Sequence, residues 1–178
     1  MKFEKLASPS CESCPIRHRA VCAKCDSDEL EELNRIKFYK SYSAGQTIAI
    51  RGEALDMVGS IVSGVATLTR SIEDGRTQLV GLLLPSDFIG RPGRGTIQYD
   101  VTAVDDLTLC CFHRKPFEDL LDRTPHVRER LLEMALDELD AARDWMLLLG
   151  RKTARERIAS LLALIVKRSA RPDGSIPV

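Results

Sequence analysis

The chain has no excess of charge of either sign: 26 Lys and Arg balance 26 Asp and Glu among 178 residues. No overall basic field therefore points to nucleic acid or acidic lipid. It also lacks an apolar run of signal-peptide or membrane-span length, and the N-terminus MKFEKLASPSC is polar and broken by proline. The expected compartment is the cytoplasm, and no membrane partner is expected. No Ser–His–Asp or paired-carboxylate constellation stands out, and the three histidines, His18, His113 and His126, are scattered. Nothing argues for an enzyme. The glycine-rich RPGRG at 91–95 has neither the lysine nor the strand–loop–helix setting of a phosphate-binding loop, and reads as a turn.

Cysteine, by contrast, is concentrated. CESCPIRHRAVCAKC, residues 11–25, holds four of the six cysteines, in two Cys-x-x-Cys pairs seven residues apart. A reducing compartment disfavours a disulfide framework, so metal ligation or thiol chemistry comes forward. Two such pairs can make a four-thiolate zinc site, although the gap is shorter than the ~15–20 residues usual between zinc-ribbon pairs. Iron–sulfur clusters also take four thiolates. Spacing alone leaves both open. His18, between Arg17 and Arg19, reads as solvated; those arginines could offset the charge of an anionic cluster.

The rest of the chain changes period twice. Residues 1–25 show no hydrophobic periodicity and need a metal or a neighbouring domain to order them. Asp26 or Ser27 can cap a short helix with Leu30 and Leu33 on one face. From Ile36 to about Phe112, strand-like segments such as TIAI, VATLTR, TQLVGLLL and VTAV alternate with glycine breaks, which predicts a β-barrel or jelly roll. Asp74-Gly75 predicts a tight hairpin. FEDLLDRTP reads as a short helix stopped before Pro125. HVRERLLEMALDELDAARDWMLLLG then runs without proline or glycine to Gly150. Within it Leu132, Ala135, Leu139, Ala142, Met146 and Leu149 are spaced three and four alternately, the seam of a self-pairing helix. The alternative is a helix packed on its own barrel, which would bury a similar stripe. A further basic-ended helix, RKTARERIASLLALIVKRSA, precedes a loop-like RPDGSIPV.

This order of elements, with CESCPIRHRAVC, SGVATLTRSIEDGRTQLVGLLLPSDFIG, the cysteine in LCCF and DWMLLLGRKTARERIASLL, resembles the CRP/FNR superfamily of bacterial transcription regulators over the whole chain. It is most similar to the oxygen-sensing FNR type, the FnrL/FnrN-like group of α-proteobacteria. The resemblance implies an α+β fold: a cyclic-nucleotide-binding-like β-roll (jelly roll) with an N-terminal cysteine-rich segment and a long C-terminal dimerisation helix. The implied division is 1–25 cysteine-rich segment, 26–124 β-roll, 125–150 dimerisation helix, and 151–178 helix and linker. It implies an oxygen-labile [4Fe–4S] cluster on Cys11, Cys14, Cys22 and Cys110, with Cys25 the substitute for Cys22. Matching the downstream FEDLLDRTP without gaps selects Cys110 over Cys111, and Cys110 shares strand parity with Phe112.

Family members that bind cyclic nucleotides hold the phosphate with an Arg–Ser pair; here Ile97 and Gln98 stand in its places, and no cyclic nucleotide is expected. Family members also carry a helix-turn-helix beyond the segment that ends here. The chain is therefore expected to be the sensory and dimerisation part of a homodimeric activator for anaerobic gene expression. It would reach DNA through that missing element and would contact RNA polymerase. The rival reading is a non-redox ligand-binding roll with structural zinc on the N-terminal cysteines.

Overall fold

The structure is a computed structural model that describes residues 10–169; residues 1–9 and 170–178, including the loop-like C-terminus, lie outside the described residues. Helix α1 (Ser27–Ile36) starts at a reciprocal cap. The Asp26 carboxylate accepts the Glu29 N–H at 2.9 Å, and the Glu29 carboxylate accepts the Asp26 N–H at 3.0 Å. Two of the helix's orphan donors are satisfied this way. Leu30 and Leu33 fall one turn apart and are buried.

Eight antiparallel strands follow: β1 (Lys37–Tyr42), β2 (Thr47–Ala49), β3 (Met57–Ser63), β4 (Ala66–Ser71), β5 (Thr77–Leu83), β6 (Phe88–Ile89), β7 (Asp100–Ala103) and β8 (Leu107–His113). They form two four-stranded sheets, ordered β1-β8-β3-β6 and β2-β7-β4-β5. The β4–β5 hairpin turns at Asp74-Gly75, where Gly75 takes φ 85° at no steric cost. The sheets face each other across Tyr42, Ile48, Ile61, Val101, Leu109 and Cys111. This is the α+β cyclic-nucleotide-binding-like roll expected from the sequence.

The sheet β1-β8-β3-β6 is covered on its outer face too. Val58, Cys110 and Phe112 point away from the roll interior into a second core with Leu33, Phe117 and Val127. The helices that cover it are α1, α2 (Arg114–Arg123) and the first turns of α3 (Pro125–Arg151). Pro125 separates α2 from α3: lacking an N–H it is tolerated at the first position of α3. Thr124 Oγ1 donates to the Leu120 carbonyl at 2.6 Å, satisfying the end of α2. Phe112 and Phe117 stack at 5.2 Å between centroids.

Helix α3 carries two adjacent stripes. Val127, Leu131, Met134, Ala141, Trp145 and Leu148 turn inward; Val127, Trp145 and Leu148 are buried, and the Trp145 indole N–H donates to the Leu79 carbonyl on β5 at 3.1 Å. The predicted seam lies one residue, about 100° of helix, further round. There Leu132, Leu139 and Met146 are 60%, 46% and 73% exposed, Ala135 and Ala142 are exposed, and Leu149 is half-buried. The helix packs on its own roll through the inward stripe and leaves most of the predicted seam residues exposed beside it. Helix α4 (Ala154–Ser169) returns towards the roll, where Arg168 pairs with Asp87.

Gly59 sits at the centre of the sheet that positions Cys110. A Cβ there would stand 2.5 Å from the Cys110 carbonyl oxygen and 3.1 Å from Cys111 Cα, both backbone atoms that cannot give way cheaply. Gly59→Ala should therefore destabilise the fold by about 1–3 kcal/mol, as overpacking does. A lowered urea midpoint checks this; an unchanged midpoint would show that β3 and β8 separate freely.

Candidate metal-cluster site

The N-terminal cysteines enter the second core in two steps. From Cys14 the chain turns tightly, with Arg17 N–H donating to Cys14 O and Ala20 N–H to Ile16 O. A single 3₁₀ turn, Val21–Lys24, follows. Cys11, Ile16, Ala20, Val21 and Cys25 are buried, Cys14 and Cys22 half-buried, and His18 exposed, as expected. Residues 10–25, without periodicity of their own, pack against the second core through Cys11, Val21 and Cys25.

The far cysteine comes from β8. Strand alternation sends Cys111 into the roll interior with Leu107 and Leu109, and Cys110 to the outer face with Phe112. Burial pushes the Cys110 thiol up to about 12, and Cys11 and Cys14, then more weakly Cys22, oppose its ionisation further, with Lys37 acting the other way. Cys22, pushed by burial to about 11, lies in the field of Cys14 and Cys11. Cys11 is raised by burial, and Cys14 adds to that rise. Each of these four sulfurs therefore lies within the electrostatic reach of the other three. Cys25 does not share that company: burial raises it to about 12, and its further neighbours are Cys22, Glu29 and Asp26. Cys111 is raised by burial to about 11, with Lys40 acting the other way.

Several groups surround the four thiols that the sequence pattern did not flag. Lys37, at the start of β1, hydrogen-bonds Cys11, and its Nζ lies 5.4 Å from the Tyr39 ring centroid. Tyr39 stands opposite Cys110 across the β1–β8 ladder and hydrogen-bonds its sulfur. Ser60 stands opposite Cys110 on the other side, across β3–β8. Ser60 is 3% exposed, and its Oγ has no hydrogen-bond partner in the protein. The Arg17 Nε is the other such buried atom among the described residues, and the Arg17 charge acts on Cys11, Cys22 and Cys25. An unpaired buried donor costs roughly 1–3 kcal/mol, and an acceptor-rich anionic group among these thiols would relieve both. The sequence pointed to Arg17 as a counter-charge; only the fold brings Lys37 and Ser60 to the same thiols.

Among the described residues no three or more Cys, His, Asp or Glu side chains close around a single ion. One zinc ion at ~2.3 Å from each thiolate would draw four sulfurs to within about 4 Å of one another. A zinc site made from the N-terminal cysteines alone would also leave Cys110 aside, although Cys110 shares the field of three of them. Four thiolates spread over two elements, with cations and hydroxyl donors around them, suit a larger anionic group such as an iron–sulfur cubane.

Comparison with known proteins agrees with this architecture. Residues 39–124 match the cyclic nucleotide-binding domain model. A probable transcriptional activator of Rhizobium leguminosarum is 40% identical over 92% of this chain and 68% of its own length. The chain belongs to the CRP/FNR family. The transcriptional activator protein FnrL of Cereibacter sphaeroides is 68% identical over 90% of this chain, which spans 64% of FnrL's length. Among solved structures, FixK2 of Bradyrhizobium japonicum is 30% identical and superposes with a TM-score of 0.70, covering 77% of this chain and 69% of FixK2. The chain thus shares its fold with FixK2 and its sequence with relatives named as transcriptional activators.

The raised thiols give the metal-free protein a defined pH response. Folded thiols at about 11–12, against about 9 for an ordinary thiol, hold protons that the unfolded chain gives up first. Their stabilisation is complete below about pH 9 and lost as pH rises through the folded values. In reductant and chelator, the urea midpoint should fall between pH 9 and 10.5, and less steeply in Cys111→Ala. A midpoint that rises over that interval contradicts the buried-thiol description.

Proposed function

We propose that this chain is the sensory and dimerisation part of an oxygen-responsive transcription activator, with Cys11, Cys14, Cys22 and Cys110 as ligands of a [4Fe–4S] cluster. The observation that carries this reading is the company kept by Cys110: three N-terminal thiols share its field, while Cys111, one residue on, is sealed in the roll. Family membership supports the regulatory role. When bound, such a cluster supplies oxygen-labile redox chemistry. The chain's own residues would tie the cysteine segment to β8, shield the thiolates in the second core, and offset their charge with Lys37 and Arg17. Cys25 remains the substitute for Cys22, with its lean towards Glu29 and Asp26 favouring the assignment to Cys22.

The exposed seam supports a homodimer along α3. A longer protein would use such a pair to present two DNA-reading elements to a palindromic site and to meet RNA polymerase. Cyclic nucleotide is not part of this reading. Ile97 is buried and apolar, so neither it nor Gln98 offers the cation a phosphate needs. The cavity that those two residues line measures about 140 Å³, below the ~300 Å³ at which ligand pockets begin. A larger open groove, about 1000 Å³, lies between α3, α4 and the roll. Two of its cations are already engaged, Arg168 with Asp87 and Arg130 with backbone carbonyls. Among the described residues no helix is long and apolar enough to cross a membrane, which fits a cytoplasmic regulator.

Single serine replacements test the ligand set. Purified without air, Cys11→Ser, Cys14→Ser, Cys22→Ser and Cys110→Ser should lose the brown absorbance, while Cys25→Ser and Cys111→Ser keep it. Loss in Cys111→Ser with retention in Cys110→Ser would contradict the strand parity. Ala142→Asp tests the seam. Two like charges buried at a helix crossing cost several kcal/mol, so this variant should sediment as monomer while Asp140→Ala stays dimeric. A fully dimeric Ala142→Asp would move the interface elsewhere.

A further inference from the structure

The 3₁₀ turn that carries Cys22 is gripped at both ends by one turn of α3. At its start, Arg130 Nη2 donates to the Arg19 carbonyl at 2.6 Å, and Nε reaches the Ala20 carbonyl at 3.5 Å. At its end, Lys24 pairs with Glu133, which also accepts Arg130 Nη1 at 3.2 Å. Between the two, Val21 is 2% exposed in the core that also holds Val127, Leu131 and Met134. The Arg130 side chain is only 18% exposed, so its charged bonds to carbonyls are shielded and hard to replace with water.

Arg130 and Glu133 are one helical turn apart on α3, and Leu132 and Ala135 of the exposed seam interleave with them. A helix is stiff over this length, so a movement of the turn and a rotation of the seam are one motion. We infer that Arg130, braced by Glu133, is the positioning residue through which the state of Cys22 reaches the pairing face of α3. This rests on the proposed function above. It assigns Arg130 no contact with the cluster: it holds the backbone of the turn, and through it the sulfur. A ligand set that fixes Cys22 would then fix the orientation of α3, and its loss would release both.

The test compares the parent with Arg130→Met and Arg130→Lys, each loaded with cluster and stripped by chelator without air, in sedimentation over a range of concentrations. The parent's dimer dissociation constant should differ between loaded and stripped protein. Arg130→Met should load to the parent's absorbance, yet its loaded-to-stripped ratio should shrink about tenfold, the scale of one lost charged hydrogen bond. Arg130→Lys, which keeps a donor cation, should recover part of that ratio. A purely structural role would weaken both states alike and leave the ratio unchanged. In stripped protein, Arg130→Met should also speed alkylation of Cys22 but not of Cys111; if Met at 130 prevents folding, Glu133→Gln and Arg130→Lys make the same comparison. Parent-like ratio and parent-like Cys22 alkylation in Arg130→Met would overturn this inference alone. A parent with one dimer constant, loaded or stripped, would overturn the functional reading and the coupling role together.

Discussion

Strand β8 is buried on both faces, and the thiol site depends on that constraint. In a strand covered on one side only, one of two successive cysteines would face water. Here Cys111 fills the roll between the sheets, and Cys110 is pressed under α1, α2 and α3. The alternation leaves no intermediate arrangement, because a one-residue slip would turn Phe112 and Leu109 to the wrong faces as well. The close passage of Gly59 beside Cys110 and Cys111 holds the register from the β3 side, and Tyr39 lies opposite Cys110 on the β1 side.

Helix α3 extends that constraint over a longer distance. Its first turns cover the second core, its inward stripe lies on β5 through Trp145, and its seam is left to solvent. One inward stripe that covers both the second core and β5, with an exposed stripe beside it, explains why the helix is long and why its apolar residues exceed what one stripe needs. Glu29 joins α1 to it through His126 at 2.6 Å, and Glu32 joins α1 to α2 through Arg123 at the same distance. Surface pairs such as Arg123–Glu32 contribute little stability, up to about 1 kcal/mol each. Their effect is to fix how the helices sit over the cysteine segment.

Much of this was legible in the sequence where the signal is local. The cap at Asp26, the Asp74-Gly75 hairpin, the stop at Pro125 and the parity of Cys110 with Phe112 each follow from a few neighbouring residues. The seam was legible as a period, but the stripe beside it, Val127 to Leu148, was hidden. Two overlapping three-four repeats one residue apart look like a single broad one. Of the thiols' surroundings only Arg17 was legible, as a counter-charge beside the cysteines. Lys37, Tyr39 and Ser60 come from strands far from Cys11 in the chain, and Arg130 and Glu133 read as ordinary solvated charges until the turn at Val21 is placed against them. Cysteine spacing alone left zinc and iron–sulfur level; the fold adds that Cys110 shares the field of Cys11, Cys14 and Cys22.

The most direct test of the account is the metal and sulfide content of the parent protein purified without air, taken together with its visible spectrum. The account predicts a brown protein with about four iron and four acid-labile sulfide per chain and thiolate-to-iron absorbance near ~400 nm. A colourless protein carrying about one zinc per chain and no sulfide would contradict it.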